Sequence, residues 1–430
     1  MARILITSGT AFRNDSNIGK TLISFFAEYD KDELSNIYFH NELPNVDYCK
    51  NVYRITEKDI VKNLFGTIGN CGGEISNISC EARPISRLSS HREATSVMIC
   101  REILWLLAKL NTKVLFAWLD KVSPKVIFSV MPGSAARARF IARIAEKYDV
   151  PVILFITDDY YNDFKLSSNI FRKIHYKFLQ NNIDRLCLNH VRLILGCSEL
   201  AAHEFGSKYR IDYDTIFTPY NPKVIEFTSR NNALGNTVIF RYFGNLGLER
   251  WKTLVLLGNA IDKLNKANGA RLAFLEVYGP QVSEEIIEQI NESGGGEYKG
   301  FVLGDEYWKL LADTDVAVHV ESFSPEMCRR TRLSISTKIT DYMGAGKCIM
   351  AIGSSELASI QHLRNCAVVV DNINKIYDGV VLCQSRELIK DMQIKASKAA
   401  QLYHNPSTIP VQLKKAIESI MNTGLIEINE

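Results

Sequence analysis

The chain contains one segment whose residue types and spacing suit a phosphate group: Ser336, Thr337, Lys338 and Asp341. Ser336 and Thr337 can cap the N-terminus of a following helix, and Lys338 would lie in its first turn. A helix N-terminus is already positive, so a lysine there indicates an anion that offsets the repulsion. Asp341 lies one turn further, where it can accept hydrogen bonds from ligand hydroxyls. We predict an anionic, nucleotide-like ligand; the alternative is a solvated basic loop over a structural cap.

A glycine loop that ends in a basic residue forms a second candidate phosphate contact. Gly244 follows a clear strand, and the turn from Gly244 to Gly247 leads to Arg250 at the start of a helix. A guanidinium at a helix start can make bidentate contacts with a phosphate. Many strand-to-helix turns need glycine, and a surface arginine is often only solvated. The pattern therefore predicts a phosphate contact at Arg250 and leaves the structural role open.

Two further strand ends carry candidate ligand contacts. Gly300, Phe301 and Val302 close a strand before a helix, and backbone groups at such a turn can bind the edge of a nucleobase. Asp158 follows the apolar run 152–156, where a carboxylate could steer or deprotonate a hydroxyl acceptor. Each feature can also be an ordinary turn or cap.

The segment from Asn17 to Thr21 resembles part of a P-loop. The first glycine of that motif is missing, because Asn14 takes its place. We interpret the segment instead as a glycine-containing loop after the first strand, with Gly19 facing the ligand. Gly133 follows another strand, and we assign it to the same acceptor-side loops.

Apolar runs of strand length alternate with helical patterns along the whole chain. Continuous apolar runs are typical of parallel strands that are buried on both faces. Helical patterns at 135–148 and 305–312 complete βα units. The sequence predicts a doubly wound α/β architecture. Its strands are predicted at residues 4–8, 126–130, 152–156, 193–197, 237–243, 273–278, 316–320, 348–352 and 367–370.

The alternating pattern restarts after a polar stretch at 221–236, so we place a domain boundary near residue 222. Two Rossmann-like domains facing across a cleft, residues 1–222 and 223–404, fit the length. Ligands of such folds bind at the carboxyl edges of the sheets. Residues 405–430 are predicted to form a terminal helix that could cross back to the first domain.

The composition is that of a soluble globular protein, with 430 residues, 46% hydrophobic and 23% charged. A net charge of +3 does not indicate a nucleic-acid partner. The 10 cysteines are scattered without a C-x-x-C pair, which argues against a zinc site and suits a reducing cytoplasm. We find no signal peptide and no apolar run of about 20 residues that could span a membrane, and predict a cytoplasmic location.

One strongly apolar segment, residues 96–119, contains Trp105 and Trp118 together with basic residues. Two interpretations remain open. The segment can form an internal helix and a partly exposed one. It can also form a membrane-surface helix with tryptophan and basic anchors, which would give a peripheral contact at the inner face of the membrane.

Several motifs in the same order resemble those of retaining glycosyltransferases of the GT-B fold. The similar group is the large, family-four-like one that includes sugar transferases of bacterial surface polysaccharide and lipopolysaccharide. Segment 193–222 is similar to the strand, serine and helix that end the acceptor domain, and 244–250 to the basic glycine loop. Segment 298–316 is similar to the family's G-x-V region, and 336–347 to its P-x-K-x-x-E-Y motif.

The resemblance implies hexosyltransferase-like activity, with a nucleotide-sugar donor in the second domain and a saccharide or lipid-linked acceptor in the first. Arg250 and Lys338 would hold the diphosphate, and Asp341 would replace a glutamate near the donor ribose. Asp158 would lie near the acceptor hydroxyl, and we predict it with Arg250 and Lys338 as the catalytic residues. The remaining implied donor contacts are Gly244, Asn245, Phe301, Val302, Ser336 and Thr337.

A retaining transferase of this kind would use front-side displacement assisted by the leaving diphosphate. The departing nucleoside diphosphate gains negative charge, which preorganised cations and a helix N-terminus can stabilise. We assign no Asp-x-Asp metal motif to the predicted donor site, so we expect no metal and no other cofactor.

The chain departs from the family motifs at Leu333, where the family carries its first glutamate, and at Asn245, where an arginine is frequent. Cys348 replaces a common proline. A second hypothesis is a nucleotide-sugar epimerase of the same architecture, although we see no clear set of the acid and base groups that it needs. Leu333 in place of a glutamate motivates a third, a degenerate binding or scaffold partner of a transferase.

Overall fold

The computed structural model describes residues 3–14, 16–65, 71–75, 95–110, 112–158, 169–228 and 236–426. The chain divides into two compact units. Unit 1 comprises Met1–Ile216 together with Ile409–Glu430, and unit 2 comprises Phe217–Thr408. Each unit has its own largely parallel sheet and its own hydrophobic core. The predicted α/β class with two Rossmann-like domains is confirmed.

Within its described residues, unit 1 is built on an eight-stranded sheet. Its strands are β1 (Ile4–Ser8), β2 (Leu34–Tyr38), β3 (Asn51–Arg54), β4 (Gly73–Glu74), β5 (Val126–Val130), β6 (Val152–Ile156), β7 (Val191–Gly196) and β8 (Asp212–Thr215). Their order is β4-β3-β2-β1-β5-β6-β7-β8, and only β3 and β4 pair antiparallel. The chain order reverses between β1 and β5. The carboxyl ends of these two strands therefore form a switch point, where sheets of this kind bind ligands.

The helices of unit 1 include several that begin at a well-formed cap. Ser134 caps the helix that connects β5 to β6, because its Oγ accepts the Arg137 backbone N–H at 3.2 Å. Ser198 caps the helix after β7 in the same way. The helices are α1 (Asn17–Phe25), α2 (Glu57–Phe65), α3 (Thr95–Leu107), α4 (Lys113–Val122), α5 (Ala135–Tyr148), α6 (Ile170–His190) and α7 (Glu199–Tyr209).

Unit 2 contains a six-stranded parallel sheet in the order β11-β10-β9-β12-β13-β14. Its strands are β9 (Val238–Phe243), β10 (Ala273–Tyr278), β11 (Gly296–Gly300), β12 (Val316–Val320), β13 (Cys348–Ile352) and β14 (Val368–Val370). The chain order reverses between β9 and β12, which pair in parallel. This is the Rossmann strand order, and it places a second switch point at the carboxyl ends of β9 and β12.

The helices of unit 2 complete its βα units. They are α8 (Lys223–Thr228), α9 (Arg250–Asn268), α10 (Glu284–Glu292), α11 (Gly304–Ala312), α12 (Pro325–Thr331), α13 (Thr337–Gly344), α14 (Ala358–Leu363), α15 (Ile376–Leu382) and α16 (Arg386–Tyr403), with a short 3₁₀ turn at Ile373–Lys375.

The terminal helix α17 (Ile409–Ile426) belongs to unit 1. Its apolar side chains Ile409, Leu413 and Ile417 are buried in the same core cluster as Leu22 of α1. Since burying such side chains stabilises by roughly 1.5–3 kcal/mol each, this contact holds the end of the chain on unit 1.

The apolar runs give strands at or within a few residues of the predicted positions, whereas strands with mixed composition escape the pattern. The list of predicted strands misses β2, β3, β4, β8 and β11, although the turn at Gly300 is predicted to close a strand. In β2, Asn36 is fully buried, and its side-chain amide donates to the Ile6 carbonyl at 3.1 Å and to Ser8 Oγ at 3.2 Å. Such pairing makes a polar residue acceptable inside the sheet, and the sequence alone does not reveal it.

The segment 96–119 forms α3 and α4, and both of its tryptophans are buried. Trp105 packs edge-on against Phe39, and Trp118 packs against Tyr53. These rings are therefore core residues, and the interpretation of Trp105 and Trp118 as membrane anchors is wrong. In the part of the chain that the structure covers, no helix has the length and apolarity needed to cross a membrane.

Candidate functional site

The switch point of unit 2 brings together two residues that are far apart in sequence. Arg250 is the first residue of α9 and follows the glycine loop after β9. Glu321 follows directly after β12. Because β9 and β12 are neighbours in the sheet, the two side chains meet at its carboxyl edge.

Arg250 and Glu321 form a two-point ion pair. The Nε–Oε2 distance is 3.0 Å and the Nη2–Oε1 distance is 2.8 Å. The side chains are 18% and 5% exposed, so the pair is largely shielded from water. Thr253 fixes the same strand end, since its hydroxyl donates to the Glu321 carbonyl at 2.9 Å. The guanidinium is thus held in one orientation at the start of α9.

The charges at this strand end are set by burial. Burial raises the pKa of the Glu321 carboxyl, and the Arg250 guanidinium opposes that shift. Burial also lowers the pKa of His319 to about 3, and Arg250 adds to this effect. His319 Nε2 lies 3.9 Å from Glu321 Oε1. The imidazole is therefore neutral near pH 7, and Arg250 carries the positive charge.

The glycine loop before Arg250 has a constrained backbone. Leu248 and Glu249 adopt left-handed conformations with φ of 55° and 58°. Asn245 accepts the Gly247 N–H on its Oδ1 at 2.8 Å, and its carbonyl accepts the Tyr242 hydroxyl at 2.7 Å. Left-handed non-glycine residues cost free energy and cluster at functional sites. This strain makes the loop a candidate for close backbone approach to a ligand.

The predicted phosphate-binding helix exists as α13, and Ser336 is its N-cap residue. Ser336 Oγ accepts the Lys338 backbone N–H at 3.3 Å. Lys338 Nζ lies 3.6 Å from the centroid of the Tyr307 ring and 4.0 Å from Asp341 Oδ2. The Tyr307 hydroxyl donates to the same carboxylate oxygen at 3.1 Å. The structure therefore brings Lys338, Asp341 and the capped start of α13, at Thr337, into one cluster.

An aromatic layer lies at the strand ends next to this cluster. Phe243, the last residue of β9, stacks on Tyr278 with ring centroids 5.1 Å apart. It also meets Tyr307 edge-on at 5.1 Å. The Tyr342 hydroxyl of α13 accepts the Phe243 N–H at 3.2 Å. Phe243 contacts Tyr307 of α11 and Tyr342 of α13, so this layer connects the end of β9 to both helices.

Two of the predicted base contacts differ in exposure. Phe301 follows β11 and is 62% exposed, which leaves its ring available for stacking. Val302 is half-buried and packs against the core cluster that contains Tyr307 and Trp308. Phe301 is thus an aromatic side chain of this turn that a planar ligand can reach.

Unit 1 has a cavity of about 280 Å³ at its own switch point. Its walls come from the carboxyl ends of β1, β2, β5 and β6 and from α1 and α5. Asp158 and Gly133, both predicted on the acceptor side, line it. The complete lining is Thr7, Ser8, Gly9, Thr10, Ile18, Phe39, His40, Val130, Met131, Pro132, Gly133, Arg137, Ile141, Thr157 and Asp158.

Gly19 does not lie in a loop, contrary to the prediction. It is in the first turn of α1, where its N–H donates to the N-cap Ser16 Oγ at 2.9 Å. A Cβ at this position would lie only 2.7 Å from the Arg13 carbonyl oxygen. The glycine is needed for this close approach, and it is not among the residues that line the cavity.

Glu321 is the residue of this site that the motif comparison misses. The expected carboxylate position, Leu333, is fully buried in the apolar interior. Glu321 instead supplies a buried carboxylate at the end of β12. One feature of the sequence could have identified Glu321: it directly follows a buried strand, and that strand precedes the phosphate-binding segment. Within the described part of the chain, no group of His, Cys, Asp and Glu side chains could hold a metal ion.

No protein-family model and no curated protein matches the chain in sequence. Solved structures do match. A sucrose-phosphate synthase from Thermosynechococcus elongatus is 9% identical, with a TM-score of 0.64 over 98% of this chain and 100% of that one. HepE from Anabaena, in complex with UDP and glucose, is 12% identical, with a TM-score of 0.61 over 97% and 100%. WaaG, a glycosyltransferase involved in lipopolysaccharide biosynthesis, is 10% identical, with a TM-score of 0.56 over 97% and 99%.

These likenesses extend over nearly the whole length of both chains, at identities too low to transfer a function. They agree with an architecture of two Rossmann-like units. The chain has the GT-B fold.

Proposed function

We propose that this chain is a glycosyltransferase that moves a sugar from a nucleotide-sugar donor to a hydroxyl acceptor. Unit 2 binds the donor, and unit 1 binds the acceptor. The reaction proceeds with retention, by front-side displacement, and serves the assembly of a surface polysaccharide or glycolipid. The protein works in the cytoplasm or at the inner face of the membrane, without a metal ion.

The observation that carries this proposal is the Arg250–Glu321 pair at the switch point of unit 2. Glu321 orients a guanidinium at the position where Rossmann-like sheets bind phosphates. The capped start of α13 with Lys338 adds a second cationic group in the same unit. Two preorganised cations suit the charge that develops on a departing nucleoside diphosphate.

The remaining residues have roles that follow from their chemistry. Asp341, held by the Tyr307 hydroxyl, accepts hydrogen bonds from the donor ribose. Phe301 stacks on the base, and the Gly244–Asn245 backbone approaches the donor sugar or phosphates. Asp158 in the cavity of unit 1 receives or orients the acceptor hydroxyl. The donor contacts lie at the carboxyl edge of the unit 2 sheet, and Asp158 lies at the carboxyl edge of the unit 1 sheet.

The structural likeness supports UDP as the nucleotide to test first, because HepE was crystallised with UDP and glucose. The likeness to WaaG supports a role in polysaccharide or glycolipid assembly. Both arguments rest on fold similarity and therefore give the order in which substrates should be tested.

The proposal is tested by isothermal calorimetry with UDP, followed by turnover of a panel of UDP-sugars. We expect UDP to bind, and one UDP-sugar to be consumed when a suitable acceptor is added. The anomeric proton coupling of the product, measured by NMR, should show the donor configuration. Sugar turnover that needs no acceptor would favour an epimerase. Binding of a transferase subunit without turnover of any donor would favour a degenerate partner.

A further inference from the structure

The cavity of unit 1 contains buried polar atoms whose hydrogen bonds are not made. In the described residues, Thr7 Oγ1, Thr10 Oγ1 and Arg137 Nε have no hydrogen-bond partner. All three residues line this one cavity. A buried polar group without a partner costs about 1–3 kcal/mol, and most such groups in proteins are satisfied. Three such residues at one cavity make it a candidate site for a polar ligand.

Arg137 brings a positive charge to this cavity. It lies in the first turn of α5, and its guanidinium carbon is 4.6 Å from the centroid of the Phe39 ring and 5.2 Å from that of Trp105. Burial lowers the pKa of Arg137 to about 10, so the side chain is still a cation near pH 7. The two aromatic rings hold the plane of the guanidinium in place.

The carboxylates near Arg137 are engaged with other groups. Glu102 accepts the Ala136 backbone N–H at 2.8 Å and lies 3.5 Å from His175. Glu57 pairs with Arg101. Arg137 itself has no ion pair with any residue that the structure describes. Its charge is therefore compensated only in part.

The backbone around the cavity favours an anion as well. Gly133 lines the cavity just before the 14-residue helix α5 begins, so the N-terminus of that helix lies at the same wall. The macrodipole makes this end positive. A Cβ on Gly133 would meet no atom within 4 Å, which shows that the wall is open at this point.

We propose that this cavity binds a phosphoryl group carried by the sugar acceptor, and that Arg137 selects it. The inference rests on the proposed function and narrows its substrate class to phosphorylated sugars. Asp158 lines the same cavity and would repel an anion placed next to it. The acceptor must therefore present hydroxyl groups as well as a phosphate. A cavity of about 280 Å³ is near the lower end of small-molecule sites, which favours one sugar unit.

The test measures acceptor-side binding by calorimetry in the full-length protein. The soluble probes are hexose 1-phosphates and 6-phosphates, each compared with its neutral hexose. The membrane probe is a phosphatidylcholine vesicle that carries a sugar linked to a polyprenyl diphosphate. We expect a phosphorylated probe to bind and its neutral counterpart not to bind. Binding of the soluble probe identifies a free sugar phosphate, and binding of the vesicle alone identifies a lipid-linked one.

Arg137→Gln should weaken this binding by roughly 10- to 100-fold, as expected for a charge-assisted hydrogen bond, and Arg137→Lys should weaken it less. Thr10→Val provides a second variant that removes an unpaired hydroxyl without opening a cavity. The matched control is Arg139→Gln on the same helix, whose guanidinium donates to Asn182 Oδ1 at 2.6 Å and does not line the cavity. We expect wild-type binding in this control.

UDP affinity is measured in every variant, because UDP is proposed to bind unit 2. It should stay unchanged. The inference is overturned if phosphorylated and neutral probes bind equally, if no probe binds, or if Arg137→Gln and Thr10→Val both bind like the wild type. Failure of the wild type to bind UDP would overturn the proposed function instead, and the probe titrations would still decide what the cavity binds.

Discussion

Arg250 and Glu321 meet through two hydrogen bonds of 3.0 and 2.8 Å, although 71 positions separate them in the sequence. Their meeting is a consequence of sheet topology, because β9 and β12 are adjacent at the switch point of unit 2. The pair gives the candidate donor site a rigid cation. Because the pair is largely buried, breaking it should also lower the stability of unit 2.

Replacing Arg250 by methionine should destabilise unit 2 by about 3–5 kcal/mol near pH 7.5, because it leaves the buried Glu321 carboxylate without its cation. Burial already raises the pKa of Glu321, so the folded state binds this proton more readily than the unfolded state. Stability from this group is therefore greatest in acid and falls as pH rises through the raised pKa. Urea unfolding should show a smaller loss at pH 5 than at pH 7.5.

The matched control for this prediction is the double variant Arg250→Met with Glu321→Gln. It removes the unpaired charge and should recover part of the stability at pH 7.5. Equal losses in the single and double variants, at both pH values, would show that the carboxylate charge is not the cause.

Lys338→Gln should weaken UDP binding by roughly 10- to 100-fold, which corresponds to the loss of one charge-assisted contact. Its effect on unfolding should be below about 1 kcal/mol, because Lys338 is 36% exposed and its contact with Asp341 is a long one. Calorimetry and urea unfolding measure the two effects. Lys309→Gln, an exposed lysine on α11, is the control and should bind UDP normally. Unchanged UDP affinity in Lys338→Gln would remove this lysine from the donor site.

Phe301→Ala should weaken the binding of UDP, because base–aromatic stacking contributes about 1–3 kcal/mol. The ring is 62% exposed, so the fold should lose little stability. Leu303→Ala in the same turn is a matched control, since this side chain is 68% exposed and cannot stack on a base in the same way. Titrations with UDP and with pyrophosphate separate the base from the phosphates. Equal losses for the two ligands would argue against stacking.

A buried histidine pair predicts acid sensitivity of unit 2. His404 donates its Nδ1–H to the Thr218 carbonyl at 2.8 Å, so its Nε2 must accept the Nε2–H of His362, 2.7 Å away. Burial lowers the pKa of His362 to about 4 and that of His404 to about 3. As pH falls, these histidines are protonated in the unfolded chain before they are protonated in the folded one. The stability that the pair contributes is therefore complete above about pH 6.5 and is lost as pH falls towards 4.

Scanning calorimetry at pH 7.5 and pH 5 tests this prediction. The wild type should lose stability on acidification. His362→Gln should lose less, because one fewer buried histidine takes up a proton when the protein unfolds. His203→Gln, an exposed histidine of unit 1, should behave like the wild type. A pH dependence that is the same in all three proteins would contradict the role of the pair.

The parts of the fold that the sequence predicts are those in which composition alone decides the structure. Continuous apolar runs such as β5, β6 and β12 must be buried on both faces. Strands β2 and β8 depend on partners far away in sequence. Asn36 is acceptable in β2 only because Ile6 and Ser8 accept its amide.

In the candidate site, too, local features can be predicted from the sequence and contacts between distant residues cannot. The cap at Ser336 is a local feature, and the residues at positions 336–338 suffice to predict it. The pairing of Arg250 with Glu321 depends on strand order, which no local motif encodes. The burial of Leu333 likewise follows from tertiary packing. A motif comparison looks for a carboxylate at a fixed spacing and therefore overlooks one supplied by the neighbouring strand.

We propose that a nucleoside diphosphate binds at the carboxyl edge of the unit 2 sheet, at the glycine loop and the start of α13. Hydrogen–deuterium exchange with and without UDP tests it most directly, because it locates the bound ligand by peptide. We expect slower exchange in peptides that contain Gly244–Arg250, Phe301 and Ser336–Asp341, with no change around Asp158. Protection confined to unit 1, or no protection with UDP at saturation, would contradict it.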